Sequence, residues 1–385
     1  MKNKEPAVQS ILAMTENRAK RCQVPGHSPF SHAPYRTLCG LLVLLIVIAG
    51  CGGSGGGGGT LTGPAAAPSI YLTQDNLTFG GPPLPSNILQ FSTTANGTVS
   101  PAATLTGPAN VVFSGLAVDG TGNAYVGGEI FGTGGGSGGP PLQSVEILVY
   151  APGADGTHPT RTITSASLQN NQGGVSALTV DSSGNLYLSG VLAAPNLGSG
   201  VAVFSPTASG NAVPIRTISG SATTIVGLGA FPIAVDSADN IYISTADLGE
   251  PDSILIFNSS ANGNVPPTST IGGPATTING IAGLALDSAG NIYVSNIPFE
   301  QNSLPEILEF SAGSTGNVSP IRTISGSATT MSAAGSLALD SAGNIYVLNT
   351  LNLLKFAPNA TGNAAPIATI TTPTSLIFDI SIAVH

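Results

Sequence analysis

Side chains that could perform acid–base or metal chemistry are scarce in this sequence, and most of them are carboxylates. The 385-residue chain contains 19 Asp and Glu, 4 His and 3 Cys. Five acids lie in or beside two irregular stretches, "TADLGEPDS" and "SNIPFEQNSLPE": Asp247, Glu250, Asp252, Glu300 and Glu306. Binding residues concentrate on variable loops carried by a rigid scaffold, so these five are our candidate ligand-binding residues. Surface carboxylates also serve simply to solvate a protein, and that alternative stays open.

Other chemical motifs are weak. "GGSGG" satisfies the G-x-S-x-G pattern twice, but both copies lie in glycine-rich stretches without a strand-to-helix turn. An Asp-x-x-Gly-Asn pattern recurs, and its aspartate could suggest calcium. One carboxylate per turn is too few for a cation that takes about 6 to 8 oxygen ligands, so turn capping is the better interpretation. We predict no catalytic residue, no metal and no cofactor.

The N-terminal region has the order of a secretory signal. Several Lys and Arg precede the apolar run "LLVLLIVIA" at residues 41–49, which is too short to span a bilayer as a helix. The following Ile48-Ala49-Gly50-Cys51 resembles the lipobox of bacterial lipoproteins. That resemblance implies a signal peptide over residues 1–50, acylation of Cys51, and a location in the bacterial cell envelope. Residues 51–68, rich in glycine, are then a flexible tether.

Removal of residues 1–50 changes the charge of the chain. The remainder holds 4 Lys and Arg against 17 Asp and Glu, a net charge of −13. Such an acidic surface repels phosphate backbones, so nucleic acid is excluded as a partner. Cys22 and Cys39 are lost with the signal, and with Cys51 acylated no thiol remains for disulfides or catalysis.

One eight-residue motif recurs along the rest of the chain. "DSAGNIYV" starts at Asp287 and again at Asp340, and near copies start at Asp119, Asp181 and Asp236. An apolar stretch leads into each aspartate, and a tight turn and a β-branched, aromatic stretch follow. A third apolar stretch follows, and a fourth stretch that begins after a proline completes each repeat. The pattern predicts units of four antiparallel strands.

The two ends of the chain supply a sixth unit. "SIYL" at 69–72 resembles a second strand that lacks a first, and "SIAVH" at 381–385 resembles a first strand. Pairing of these two segments would close a ring. The pattern "GLALDSAGNIYVSN" resembles the NHL repeat, which implies an all-β, six-bladed β-propeller over residues 69–385. The aspartate that usually follows the second strand in that family is replaced here by Gly128, Gly190, Thr245, Asn296 and Asn349, so we take only the fold from the resemblance.

Two further residue types recur in register. A tyrosine stands in the second strand of every unit, which predicts buried packing rather than a platform for sugars: Tyr71, Tyr125, Tyr187, Tyr242, Tyr293 and Tyr346. Arg161, Arg216 and Arg322 share one position on three fourth strands. Charge on an outer strand guards against edge-to-edge association, and we favour that interpretation over a cationic ligand clamp.

A propeller has two faces, which this sequence treats differently. The turns from first to second and from third to fourth strand are short and repetitive, and they form what we call the short-turn face. The second-to-third and blade-to-blade connections are long and individual, and they form what we call the long-loop face. We predict a membrane-anchored module that binds or scaffolds a protein or polysaccharide through the long-loop face. The alternative is a metal-assisted hydrolase or lyase that uses the loop acids.

Overall fold

The computed structural model describes the propeller region with gaps in its longer loops. The described residues are 68–74, 85–131, 142–152, 154, 158–168, 174–192, 198–226, 231–245, 252–298, 303–350, 352–372 and 379–385. The predicted signal peptide, Cys51 and all but the last residue of the predicted tether lie outside them. No helix in these ranges is long and apolar enough to cross a membrane.

The described residues form strands almost throughout. In chain order the strands are β1 (Ser69–Gln74), β2 (Asn87–Ser92), β3 (Gly97–Thr98), β4 (Ala103–Thr106), β5 (Val111–Val118), β6 (Ala124–Phe131), β7 (Leu142–Tyr150), β8 (Arg161–Thr164), β9 (Val175–Val180), β10 (Leu186–Leu192), β11 (Gly198–Phe204), β12 (Gly210–Asn211), β13 (Arg216–Ser219), β14 (Ile233–Val235), β15 (Ile241–Thr245), β16 (Ser253–Phe257), β17 (Ser269–Ile271), β18 (Ile281–Leu286), β19 (Ile292–Asn296), β20 (Glu306–Phe310), β21 (Arg322–Ser325), β22 (Leu337–Leu339), β23 (Ile345–Asn349), β24 (Asn352–Phe356), β25 (Ala368–Thr371) and β26 (Asp379–Val384). Short 3-10 turns follow three outer strands, at Ser221–Thr223, Pro274–Thr276 and Ser327–Thr329.

Six four-stranded antiparallel blades are built from these strands, as the repeat predicts. From the inner to the outer strand they are blade 1 (β26-β1-β2-β4), blade 2 (β5-β6-β7-β8), blade 3 (β9-β10-β11-β13), blade 4 (β14-β15-β16-β17), blade 5 (β18-β19-β20-β21) and blade 6 (β22-β23-β24-β25). Each inner strand contacts the inner strands of the two neighbouring blades, and β26 contacts β5. The fold is therefore a closed six-bladed β-propeller.

The ring closes within blade 1, where the two ends of the described chain meet. β1 pairs antiparallel with β26, in the register Ile70↔Val384, Tyr71↔Ala383 and Leu72↔Ile382. Ser69 and His385 exchange backbone hydrogen bonds of 2.8 and 2.9 Å. The predicted closure by these two segments is confirmed.

The hydrophobic core lies between the blades. Buried apolar residues of the described chain group into six clusters, and each cluster draws its members from two consecutive blades. The tyrosines of the second strands belong to these clusters and are at most 7% exposed, which confirms their predicted packing role. A single blade has no core of its own, so its stability depends on both neighbours.

The outer strands are less exposed than the sequence suggests. A Gly-containing segment of the third-to-fourth turn of one blade pairs parallel with the outer strand of the preceding blade. The paired positions are Ile163↔Gly210, Ile218↔Gly263, Ile271↔Gly316, Ile324↔Gly362 and Ile370↔Gly97. These joints connect blades 2 to 6 in order and blade 6 to blade 1. They cover part of the edge that a free outer strand would offer to another chain.

Candidate functional site

The recurring aspartates hold the first-to-second turns by a repeated set of hydrogen bonds. At Asp287, Oδ1 accepts the backbone N–H groups of Ala289 and Asn291, at 2.9 and 2.8 Å. Oδ2 accepts the Asn291 side-chain amide at 2.8 Å and the Tyr293 hydroxyl at 3.4 Å. The other four aspartates make the equivalent contacts. Turn capping is confirmed, and both carboxylate oxygens are occupied by donors.

Burial and hydrogen bonding shift the pKa of a turn aspartate in opposite directions. Burial raises the pKa of Asp340, but the bonds from Asn344 and Tyr346 and the nearby Lys355 charge outweigh it, so the pKa lies below its usual value. The pKa of Asp119 is lowered in the same way. Burial, followed by the Asp181 charge and hydrogen bond, raises the pKa of Tyr187 to about 12. The lowered pKa of Asp119 and Asp340 favours their ionised form, and the raised pKa of Tyr187 favours its protonated form.

The three arginines connect neighbouring blades, which neither sequence interpretation anticipated. The Arg216 guanidinium donates to the Tyr187 hydroxyl at 3.2 Å, lies 5.7 Å from the centroid of that ring, and donates to the carbonyl of Ser259 in the next blade. Arg161 and Arg322 likewise contact a tyrosine of their own blade and a carbonyl of the next. Arg322 also bonds Glu309. The arginines therefore join blades instead of presenting charge to a ligand.

In two other blades, a residue of the third strand contacts the tyrosine in place of the arginine. Lys355, on β24, is paired with Ala368, which stands where other blades have arginine. Its ammonium lies 5.0 Å from the Tyr346 ring centroid and donates to Thr93 O of blade 1 at 3.0 Å. Gln90, on β2, is in the same position in blade 1 and donates to the Tyr71 hydroxyl at 3.2 Å. The signal in the sequence was the missing arginine in "IATI" and "PAATL".

On the long-loop face, two of the candidate acids are engaged in holding one connection. Asp252, 7% exposed, precedes β16 in blade 4. Its Oδ2 accepts the backbone N–H groups of Gly280 at 2.8 Å and Ile281 at 2.9 Å, at the start of blade 5. Glu306 opens β20, and its Oε1 accepts the Asn296 side-chain amide at 2.7 Å. Both acids therefore act on the segment that leads into the inner strand of blade 5.

Asn296 is the functional residue of this network that sequence reasoning missed. Its Oδ1 accepts the Asn279 N–H at 2.8 Å and its amide donates to Thr277 O at 3.1 Å. Thr245 and Asn349 occupy the equivalent position and bond the matching connections, at Thr224 O and Thr330 O. The signal was the replacement of the expected aspartate after the second strand. These three residues, which we call the latches, hold the connections that lead into blades 4, 5 and 6. Gly128 and Gly190 stand at the same position in blades 2 and 3 and have no side chain for such a bond.

The remaining candidates fall on loops that the structure does not describe. Asp247, Glu250 and Glu300 lie outside the described residues, as does the predicted lipid-attachment residue Cys51. Within the described ranges no group of three or more His, Cys, Asp and Glu side chains is placed to hold a metal ion. The structure thus brings Asp252 and Glu306 to one connection and leaves the other three candidates as sequence predictions.

A cavity of about 200 Å³ lies beside blade 2, where the sequence indicated no site. Its walls are mainly apolar, and its lining includes Pro108, Val111, Ile130, Leu148 and the carboxyl-bearing Glu146. Burial raises the pKa of Glu146. This volume is below that of sites for drug-sized ligands.

Comparisons with known proteins support the fold and assign no activity. No family model matches the chain, and no curated protein matches it. A solved structure of a protein of unknown function from Bacteroides caccae aligns with a TM-score of 0.53 and 8% identity, over 83% of this chain and 99% of that one. A luciferin-regenerating enzyme aligns with a TM-score of 0.41 and 13% identity, over 76% and 85%. The class that emerges is a six-bladed β-propeller, and neither likeness transfers an activity to this chain.

Proposed function

We propose that this protein is a lipid-anchored envelope propeller of the NHL type that binds or scaffolds a protein or polysaccharide through its long-loop face. The observation that carries the proposal is the difference between the two faces. On the short-turn face the same hydrogen-bonded turn is repeated, and its aspartates and tyrosines are occupied by internal bonds. On the long-loop face three blade-to-blade connections share one 3-10 turn, but the second-to-third loops differ in length and sequence from blade to blade. Variable loops on a rigid scaffold are where binding residues concentrate.

Charge supports the same assignment. All four Lys and Arg residues after Cys51 lie at the short-turn ends of their strands, where they contact tyrosines and carbonyls: Arg161, Arg216, Arg322 and Lys355. The long-loop half carries the described acids Glu129, Glu146, Asp252 and Glu306 with no basic residue beside them in the sequence. A partner with positive charge or hydrogen-bond donors would complement it.

Hydrogen bonds hold one connection of the long-loop face in place. Asp252 and Asn296 contact residues 277–281 through four hydrogen bonds, so this connection is ordered before a partner docks. Preorganisation lowers the entropy lost on association. Asp247, Glu250 and Glu300 are on neighbouring loops in sequence and are the contact residues we propose.

The proposal is tested by changing the loop acids while the latches stay intact. We expect Asp247→Asn, Glu250→Gln and Glu300→Gln together to weaken cosedimentation of the full chain with purified cell-wall polysaccharide, or photo-crosslinking to a protein from residue 249 in cells, by several-fold. The matched control is Asp239→Asn, an acid in a first-to-second turn of the short-turn face. Equal binding by both variants, or crosslinks only from the short-turn face, would contradict the proposal.

The same variants distinguish the alternative of a metal-assisted hydrolase or lyase. A carboxylate-bound cation stabilises the folded state by mass action. A saturable rise in melting temperature with calcium or magnesium, abolished in the variant of the loop acids and kept in the control, would favour the enzyme over the binding module.

A further inference from the structure

The chain enters the propeller on the short-turn face. Ser69, the first residue of β1, is hydrogen-bonded to His385, the residue after β26. His385 stands where the other blades carry their turn aspartate, so this end of blade 1 faces the same way as the first-to-second turns. Pro68, immediately before it, is exposed. Any segment that joins the body to an anchor at Cys51 therefore leaves from this face.

The same face carries a repeated exposed isoleucine. Ile215, Ile321 and Ile367 are 53%, 60% and 54% exposed and directly precede the outer strands of blades 3, 5 and 6. Each N–H donates at 2.8 Å to the carbonyl near the end of the neighbouring third strand, which holds the three side chains at the short-turn end of their blades. Val213, two residues before Ile215, is 85% exposed. These isoleucines lie at one height on three of the six blades, and we call them the rim. A flat apolar surface laid against this face would contact all three.

The length of chain between the two features favours a bilayer as that surface. Sixteen residues, 52–67, separate Cys51 from Pro68 and are mostly glycine and other small residues. A flexible chain of that length has a root-mean-square span of roughly 20 to 25 Å, comparable to the radius of a small domain. Tethering at such a distance gives an effective concentration high enough for weak apolar contacts to be occupied.

Basic side chains lie only at the short-turn end among the described residues, close to the turn aspartates, whereas the long-loop half has the acids described above and no described Lys or Arg. The orientation therefore rests on the entry point of the chain and on the rim, and these basic residues are available to anionic headgroups on the same side.

We infer that the propeller lies with its short-turn face on the lipid bilayer, the rim of Ile215, Ile321 and Ile367 in contact with lipid, and presents the long-loop face away from the membrane. This inference rests on the proposed lipid anchor at Cys51. It gives the anchor a second task, which is to orient the binding face as well as retain the protein.

The test uses two matched labelling sites in blade 5 of the full, processed chain. Ala312→Cys lies in the third-to-fourth turn and Ala328→Cys follows the outer strand at the opposite face, and both alanines are exposed. Each variant carries an environment-sensitive fluorophore and is reconstituted in phosphatidylcholine–phosphatidylglycerol vesicles that contain a nitroxide-labelled lipid. We expect quenching at position 312 to be several-fold stronger than at position 328. Replacing Ile215, Ile321 and Ile367 by Asn should reduce it, and Val226→Asn with Leu304→Asn, which changes exposed apolar residues of the long-loop face, should not.

The outcomes separate the orientation from the anchor. Protein that sediments with the vesicles but is quenched equally at both positions, or more at 328, overturns the orientation and leaves the anchor standing. Protein that does not sediment with the vesicles, with no acyl group on Cys51 by mass spectrometry, overturns the anchor and the orientation with it.

Discussion

At the scale of single residues, each turn aspartate of the described chain accepts at least four hydrogen bonds. Each caps two backbone N–H groups and also accepts from an asparagine and a tyrosine, so one carboxylate connects the turn to the packed second strand. This explains why the motif repeats with so little variation. Gly290 completes the turn with φ of +83°, and Asp239, the one non-glycine residue at that place, has φ of +61°.

Replacing Asp287 by Ala should destabilise the propeller. The loss of four accepted hydrogen bonds leaves a partly buried tyrosine and asparagine without their partner, at a cost of about 1 to 3 kcal/mol. Urea denaturation followed by tyrosine fluorescence measures the change. Ser288→Ala, an exposed residue of the same turn, is the control and should have the stability of the parent. Equal midpoints for the two variants would disprove the capping role.

The lowered pKa of Asp340 predicts acid sensitivity with a definite sign. Because the folded-state pKa lies below the unfolded value, the unfolded chain binds more protons as acid is added. The stabilisation is present above about pH 4, the unfolded value, and is lost as the pH falls through the folded one. Asp340→Asn removes this titrating group, so its unfolding free energy should fall less between about pH 6 and about pH 3 than that of the parent. Parallel pH profiles for both proteins would contradict the assignment.

At the scale of strands and turns, the joints between blades are the feature that sequence could not supply. Strand order, turn positions and buried tyrosines follow from a repeat that is local in the chain. The contact of Arg216 with Ser259 O, and the pairing of Ile218 with Gly263, join residues of different blades. Their geometry depends on the angle between blades, which no local pattern encodes. Asp252 is a second example of a contact that sequence could not predict. Its position in a loop makes it a candidate ligand-binding residue, but the structure shows that it accepts hydrogen bonds from two N–H groups of blade 5.

Replacing Arg322 should lower the free energy of unfolding more than replacing Arg216. Arg322 is paired with Glu309, which is 7% exposed, so Arg322→Met leaves a buried carboxylate unpaired and should cost about 3 kcal/mol or more. Arg216 faces Val203 across the strand pair, so Arg216→Met removes only its hydrogen bonds and its contact with Tyr187, about 1 kcal/mol.

A double variant provides the control for that comparison. Glu309→Leu combined with Arg322→Met removes both charges and should recover most of the lost stability in urea denaturation. A double variant as unstable as Arg322→Met alone would show that the ion pair is not the cause.

At the scale of the whole molecule, the antiparallel pair β1–β26 closes the ring inside blade 1, and the parallel joint of β25 with β3 adds a second contact between the two ends of the described chain. β26 is the inner strand of blade 1 and pairs with β1, while its contacts with β5 and β22 complete the inner ring. The sequence predicted this closure because a second strand without a first, and a first without a second, are complementary fragments of one repeat. It could not indicate the parallel joints that bind the outer strands, since those involve turns with no strand signature of their own.

Deleting residues 381–385 should open the ring. The deletion removes buried Ile382 and the backbone partners of β1, and exposes an unpaired edge. We expect a large drop in melting temperature and concentration-dependent aggregates in size-exclusion chromatography. His385→Ala, which keeps the backbone of β26, serves as the control. A truncated protein that melts with the parent and elutes as a monomer would refute closure by this strand.

The position of β1 has a mechanical consequence. The chain that precedes the propeller continues into a strand flanked on one side by β26 and on the other by β2. A pull on Pro68 along the strand axis would load the hydrogen bonds to both neighbours in shear, all at once, instead of peeling them apart one by one. A tether of the proposed kind would thus be attached to the propeller by hydrogen bonds that resist the pull together.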